Sequence, residues 1–87
     1  MPRITRQERQ EFHNLLDLAL LKLETGKNKE KCHWSELSFT QLQKMIDIEN
    51  KELDLANYNK DLEEINSELN DIINLSLFFK HNLYKGV

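Results

Sequence analysis

Residues 42–75 read LQKMIDIENKELDLANYNKDLEEINSELNDIINL, and this stretch decides the fold. Apolar residues recur at helical spacing before and after residues 58–60, and the stretch contains neither glycine nor proline. The pattern predicts two helices, over residues 38–57 and 61–84, with a short turn between them. Because the turn is so short, we expect the two helices to be antiparallel neighbours.

A further helix is predicted at the N-terminal end, over residues 5–24. Thr5 and Glu8 have the spacing of a capping box at its start, and Gly26 follows its end as a stop signal. A helix that is apolar on most sides is buried on most sides. A three-helix monomer cannot surround this one, so we expect it in the interface of a homodimer or homotetramer. Its apolar residues are Phe12, Leu15, Leu16, Leu18, Ala19, Leu20, Leu21 and Leu23.

The remaining residues complete a three-helix protomer. A polar, lysine-rich loop over residues 25–37 precedes the second helix, which starts at Ser38 or Thr40. Nothing in the sequence is typical of hairpins, so strands are not expected. The chain has 87 residues, of which 39% are hydrophobic, and this is enough for only a thin core. We expect residues 1–87 to form one all-α domain that assembles into a helical-bundle oligomer.

Composition also limits the partners and the compartment. The net charge is -3 and no basic stripe is present, which argues against nucleic acid as a partner. Cys32 is the only cysteine, so an internal disulfide is impossible and a reducing compartment is favoured. The N-terminus has no apolar signal segment, and the leucine-rich residues 15–23 are too few to cross a membrane. We therefore expect a cytoplasmic protein with no membrane partner.

Each of the two C-terminal helices carries two acids on its apolar side. At about 100° per residue, Glu49 lies in the middle of the apolar stripe of its helix and Glu52 lies at the edge. Glu68 has the same central place on the last helix, and Asp71 follows one turn later. Antiparallel packing would bring the four carboxylates face to face. The two stripes consist of Leu42, Met45, Ile46, Leu53 and Ala56, and of Ile65, Ile72, Leu75, Phe79 and Leu83.

Four carboxylates in a cleft of low dielectric repel one another, at several kcal/mol per uncompensated ion. Protonation, lysine partners or a metal ion could relieve this repulsion. Lys44, Lys51 and Lys60 point elsewhere or lie in the turn, which favours the metal. A ligand set of oxygens alone suits Mg²⁺ or Mn²⁺ better than zinc, and magnesium usually shares its shell with substrate phosphates. The alternative is that the acids reach the rim or pair with a neighbouring subunit.

The acidic residues also form a recognisable motif. Glu49-Asn50-Lys51-Glu52 and Glu68-Leu69-Asn70-Asp71 have the form ExxE…ExxD, within the segments IENKELDLA (48–56) and EINSELNDIINLSLFF (64–79). Over residues 38–83 the chain resembles the MazG-like superfamily of all-α nucleoside triphosphate pyrophosphohydrolases. Glu64 lies on the same face, but its spacing from Asp61 favours a capping box.

The resemblance implies an enzyme that cleaves a (deoxy)nucleoside triphosphate between its α- and β-phosphates. The products would be a monophosphate and pyrophosphate, and the nucleotide would lie between the subunits of a homo-oligomer. Mg²⁺, or Mn²⁺, would be held by all four acids of the motif. Glu49 or Glu52 would orient the attacking water as general base. The implied metal ligands are Glu49, Glu52, Glu68 and Asp71.

Three residues outside the motif are candidates for substrate binding. Trp34 could stack on a nucleobase, or it could cap the hydrophobic core. Lys31 could attract phosphate, or it could belong to a solvated loop. Lys80 could contact phosphate, or it could suit the helix dipole. The alternative to an enzyme is a non-enzymatic helical oligomer, a regulatory or inhibitory module that binds nucleotide or protein and has no need of Mg²⁺.

Overall fold

The computed structural model describes residues 1–24 and 33–84 of the chain. No strand occurs in these residues, so the all-α prediction is confirmed. The predicted helix stop at Gly26 lies outside the described residues. No helix in the described ranges is long and apolar enough to cross a membrane. The elements are α1 (Arg6–Leu21), a 3₁₀ turn (Lys22–Glu24), a second 3₁₀ turn (Trp34–Glu36), α2 (Phe39–Tyr58) and α3 (Leu62–Tyr84).

Capping boxes fix the starts of α1 and α2. The amide N of Thr5 donates to Glu8 Oε1 at 2.8 Å, and the amide N of Glu8 donates to Thr5 Oγ1 at 3.1 Å. Ser38 and Gln41 repeat this exchange at 2.8 and 3.1 Å, so Ser38 rather than Thr40 precedes α2. Each box satisfies amides that have no partner inside the helix. The predicted capping box of α1 is therefore confirmed.

The turn between α2 and α3 is held by backbone hydrogen bonds. The amide N of Asp61 donates to Ala56 O, and the amide N of Lys60 donates to Asn57 O, both at 3.1 Å. These two bonds form a Schellman motif, in which the residue after the cap adopts a left-handed conformation. Here that residue is Lys60, with φ 55°. A lysine therefore occupies a position that favours glycine, and α3 begins two residues later, at Leu62.

The core lies mainly between α2 and α3, which form the most extensive helix contact. Leu42, Ala56 and Leu75 are buried there. The rings of Phe39, near the start of α2, and Phe79, towards the end of α3, stack with their centroids 5.2 Å apart. Two residues of the predicted stripes are exposed instead: Met45 at 38% and Leu83 at 62%.

In the single chain, α1 is covered on one side only. Ala19 is its one buried residue. Leu18, Leu20 and Leu21 lie about 100° or more around the helix from Ala19 and are exposed. The side chain of Asn74, only 2% exposed, donates from Nδ2 to the carbonyl of Ala19 at 2.8 Å. Carbonyls in the last turn of a helix have no partner within it, so this bond fixes the end of α1 on α3.

Candidate metal centre

Three acids from two helices meet at the contact between α2 and α3. Glu49 lies in the middle of α2, whereas Glu68 and Asp71 lie on successive positions of one face of α3. One carboxylate oxygen from each lies within 4.8 Å of the other two. Glu68 is only 4% exposed, and the other two are half-buried. We call Glu49, Glu68 and Asp71 the acidic cluster; it contains three of the four predicted ligands.

Glu52, the fourth predicted ligand, lies beside the acidic cluster rather than in it. Its side chain is exposed, as expected for a residue at the edge of the stripe. It is close enough to raise the pKa of both Glu49 and Glu68. Its roles as metal ligand and general base stay predictions.

Two buried oxygens of the acidic cluster lack hydrogen-bond donors. Among the described residues, no donor reaches Oε2 of Glu49 or Oε2 of Glu68. A buried polar atom without a partner is unfavourable, and native proteins satisfy nearly all such atoms. Carboxylate oxygens that converge without donors fit a hard divalent cation, which prefers oxygen ligands. The three residues could therefore hold a metal ion.

Protonation relieves part of the repulsion inside the acidic cluster. A hydrogen bond with Glu49, followed by burial, raises the pKa of Glu68 from 4.5 to about 9. Burial also raises the pKa of Glu49, with a further contribution from the charge of Asp71, while the hydrogen bond with Glu68 acts in the opposite direction. At neutral pH Glu68 therefore keeps its proton and shares it with Glu49.

A lysine in the 3₁₀ turn directly after α1 relieves the repulsion further, and the sequence analysis missed it. Lys22 Nζ donates to Asp71 Oδ1 at 2.7 Å, to Ser67 Oγ at 2.9 Å and to Ser67 O at 3.3 Å. The lysines that the sequence offered as partners, Lys44, Lys51 and Lys60, belong to α2 and to the turn after it. The available signal was a lone lysine in the leucine-rich residues 15–23, at the end of the helix that packs on α3.

The candidate stacking residue Trp34 packs against α3. Its ring stacks on Phe78 with centroids 5.6 Å apart and meets the edge of His81 at 4.8 Å. Asn82, buried on α3, holds the adjoining backbone by donating from Nδ2 to Leu37 O at 3.4 Å. This packing favours the reading in which Trp34 caps the core, because one face of its ring is already occupied. Nucleobase stacking on the other face stays a prediction.

Of the two lysines predicted to contact phosphate, only Lys80 lies in the described residues, and it is not near the acidic cluster. Lys80 is exposed on α3 and lies about half a turn around that helix from Asp71. Lys31 lies outside the described residues. Phosphate binding by either residue stays a prediction.

An open groove adjoins the acidic cluster near the turn between α2 and α3. Two apolar residues and four residues with side-chain oxygens line it. Among these residues, the amide N of Glu64 donates to Asp61 Oδ1 at 3.2 Å. The reciprocal half of the predicted capping box is absent, because the amide N of Asp61 donates to Ala56 O instead. The Glu64 side chain instead helps to raise the pKa of Glu68. The groove is lined by Glu52, Leu55, Ala56, Asn59, Asp61 and Glu64.

Comparisons with models of protein families, with curated proteins and with solved structures found no significant match to this chain. The resemblance to the MazG-like superfamily therefore stays a prediction that rests on the acidic motif alone.

Proposed function

We propose that this protein is a Mg²⁺-dependent nucleoside triphosphate pyrophosphohydrolase of the MazG-like type. The observation that carries the proposal is the convergence of Glu49, Glu68 and Asp71 within 4.8 Å, together with two buried oxygens that lack a donor. An acidic centre of this kind repels a bare triphosphate but attracts one that arrives with a divalent cation. A metal–nucleotide complex, as found in the cytoplasm, is therefore the substrate class that best suits the site.

The exposure of each acidic residue suggests its role, either in binding the metal ion or in accepting a proton. Glu68 and Asp71, with Glu49 opposite them, would hold the ion. Glu52 is exposed at the border between the acidic cluster and the groove, where it could accept a proton from an attacking water. A bound divalent ion supplies Lewis acidity, neutralising phosphate oxygens and lowering the pKa of water.

The groove is the natural place for the nucleoside half of the substrate. Leu55, which is 62% exposed, offers an apolar surface, and the carboxylates that line the groove could accept hydrogen bonds from sugar hydroxyls and amino groups. Trp34 could add a stacking surface, and Lys31 or Lys80 a phosphate contact.

A second copy of the chain is part of the proposal. Leu18, Leu20 and Leu21 form an apolar outer side of α1, which is unusual for a helix facing water. A homodimer or homotetramer would cover this side, while α2 and α3 pair antiparallel within each protomer. The nucleotide would then lie between subunits.

One observation favours the second candidate, a non-enzymatic helical oligomer. Lys22 neutralises Asp71, and the raised pKa of Glu68 removes another charge, so much of the repulsion is relieved without a metal. An interaction module would need no more than this. The two candidates differ in their response to Mg²⁺, because only the enzyme requires it.

The test is a product assay. The purified protein is incubated with a panel of nucleoside and deoxynucleoside triphosphates and Mg²⁺, and products are separated by ion-exchange chromatography. We expect monophosphate and pyrophosphate from at least one nucleotide, and loss of both in Glu49→Gln, Glu68→Gln and Asp71→Asn. Asp54→Asn, an exposed change on α2, is the matched control and should keep the activity. Diphosphate with orthophosphate, or activity that survives all three changes, would rule out the proposed reaction.

A further inference from the structure

The ammonium group of Lys22 donates to acceptors on Ser67 and on the acidic cluster. Two belong to Ser67, through its hydroxyl and its carbonyl, and another is Asp71 Oδ1 at 2.7 Å. The side chains of Lys22 and Asp71 are 32% and 33% exposed, which leaves the pair partly shielded from water.

Lys22 therefore occupies the place of a cation on one of the proposed metal ligands. We infer that Lys22 is the resident counterion of the acidic cluster, and that a divalent ion binds there by displacing its ammonium group from Asp71. This inference rests on the proposed metal site and adds a competitor to it. It is independent of whether the protein hydrolyses nucleotides.

Two observations make the exchange physically reasonable. Glu68 is 4% exposed and its Oε2 has no donor among the described residues, so one side of the cluster can still accept a cation. On the other side, Lys22 has two further acceptors on Ser67, so it can release Asp71 without losing its place on α3.

The end of α1 has its own anchor during such an exchange. Asn74 donates to the carbonyl of Ala19 at 2.8 Å and is buried, so α1 does not depend on Lys22 alone for its contact with α3. Displacement of Lys22 is then a movement of one flexible side chain rather than of a helix. Its consequence is a weaker site, because the ion must overcome both the lost ion pair and the nearby positive charge.

The size of the effect follows from Coulomb's law. A unit charge about 5 Å from a divalent ion, at the high effective dielectric of a half-exposed site, changes the affinity about tenfold. We therefore expect Lys22→Met to bind Mn²⁺ and Mg²⁺ about tenfold more tightly than the wild type. Lys22→Arg keeps the charge and should bind no more tightly than the wild type. Lys44→Met removes an exposed lysine of α2 and is the matched control for net charge.

The experiment is a calorimetric titration of the metal alone into the four proteins, with circular dichroism to verify folding. A second measurement covers the case in which Lys22→Met does not fold. In the wild type, the side-chain resonances of Lys22 should shift on addition of Mg²⁺, and those of Lys44 should not. The inference would be overturned if folded Lys22→Met bound the metal ion no more tightly than the wild type. It would also be overturned if Mg²⁺ did not shift the side-chain resonances of Lys22.

These outcomes separate the inference from the proposed function. If the wild type and Lys22→Met bind metal equally, only the role of Lys22 fails. If neither binds a divalent ion, the inference and the metal-dependent function fail together. If metal binds but no nucleotide is cleaved, the counterion role stands and the proposed reaction fails.

Discussion

Replacement of Glu68 by glutamine should stabilise the metal-free protein at neutral and alkaline pH. In the folded chain the pKa of Glu68 is about 9, against 4.5 as the ordinary value that applies when the chain is unfolded. The folded state therefore binds about one proton more than the unfolded state between these values. Because the folded pKa is raised, the stabilisation is complete below about pH 4.5 and is lost as the pH rises towards 9.

The magnitude follows from this difference of one proton. The free energy of unfolding of the wild type should fall as the pH rises, by roughly 2–4 kcal/mol between about pH 5 and pH 8. Glu68→Gln keeps the shape and a hydrogen-bond donor towards Glu49 but cannot ionise. Its stability should therefore fall less steeply with pH than that of the wild type, and the remaining slope comes from Glu49, whose pKa burial also raises. The lowered pKa of Glu8, caused first by its hydrogen bond with the backbone of Thr5, affects stability only at lower pH.

The assay is urea denaturation followed by circular dichroism at several pH values, with a chelator present throughout. Glu11→Gln, an exposed change on α1, is the control and should follow the slope of the wild type. If the wild type and Glu68→Gln have parallel pH profiles, or if the wild type gains stability as the pH rises, Glu68 does not keep its proton in the folded state. The electrostatic description of the acidic cluster would then be wrong.

Four further changes test other parts of the structure. Lys60→Gly should raise the free energy of unfolding by ~1 kcal/mol, because glycine adopts the left-handed conformation without strain. A lower melting temperature for this variant would contradict the left-handed conformation of Lys60. Ser38→Ala should lower it by ~1 kcal/mol through loss of the cap, as measured in the same melts. Leu18→Asp should dissociate the proposed oligomer in sedimentation experiments while helix content is retained; a wild type that sediments as a monomer would remove the interface. Phe78→Ala should shift the emission of Trp34 to longer wavelength, and an unchanged spectrum would argue against their stacking.

Local signals explain why the helices could be predicted well. Thr5 with Glu8, and Ser38 with its partner three residues later, form hydrogen bonds that depend only on neighbours in the chain. The position of the turn could also be predicted, because the apolar periodicity breaks at residues 58–60. The left-handed conformation of Lys60 was not, because it arises from the helix-ending hydrogen bonds and is unusual for a lysine.

The site was predictable where it depends on helical periodicity and not where it depends on tertiary packing. Periodicity placed Glu49 and Glu68 on facing stripes, and these residues do converge. The ion pair of Lys22 with Asp71 joins residues far apart in the sequence, and it requires the position of α1 on α3, which Asn74 helps to set. No pattern within a single helix carries that information.

The proposed function depends most directly on a divalent ion binding at Glu49, Glu68 and Asp71. Paramagnetic Mn²⁺ broadens NMR signals close to where it binds, so substoichiometric Mn²⁺ added to ¹⁵N-labelled protein locates the ion. We expect the amide signals around these three residues to broaden first, and Mg²⁺ to restore them by competition. Broadening centred elsewhere, or no selective broadening at all, would contradict the metal centre and the function proposed for it.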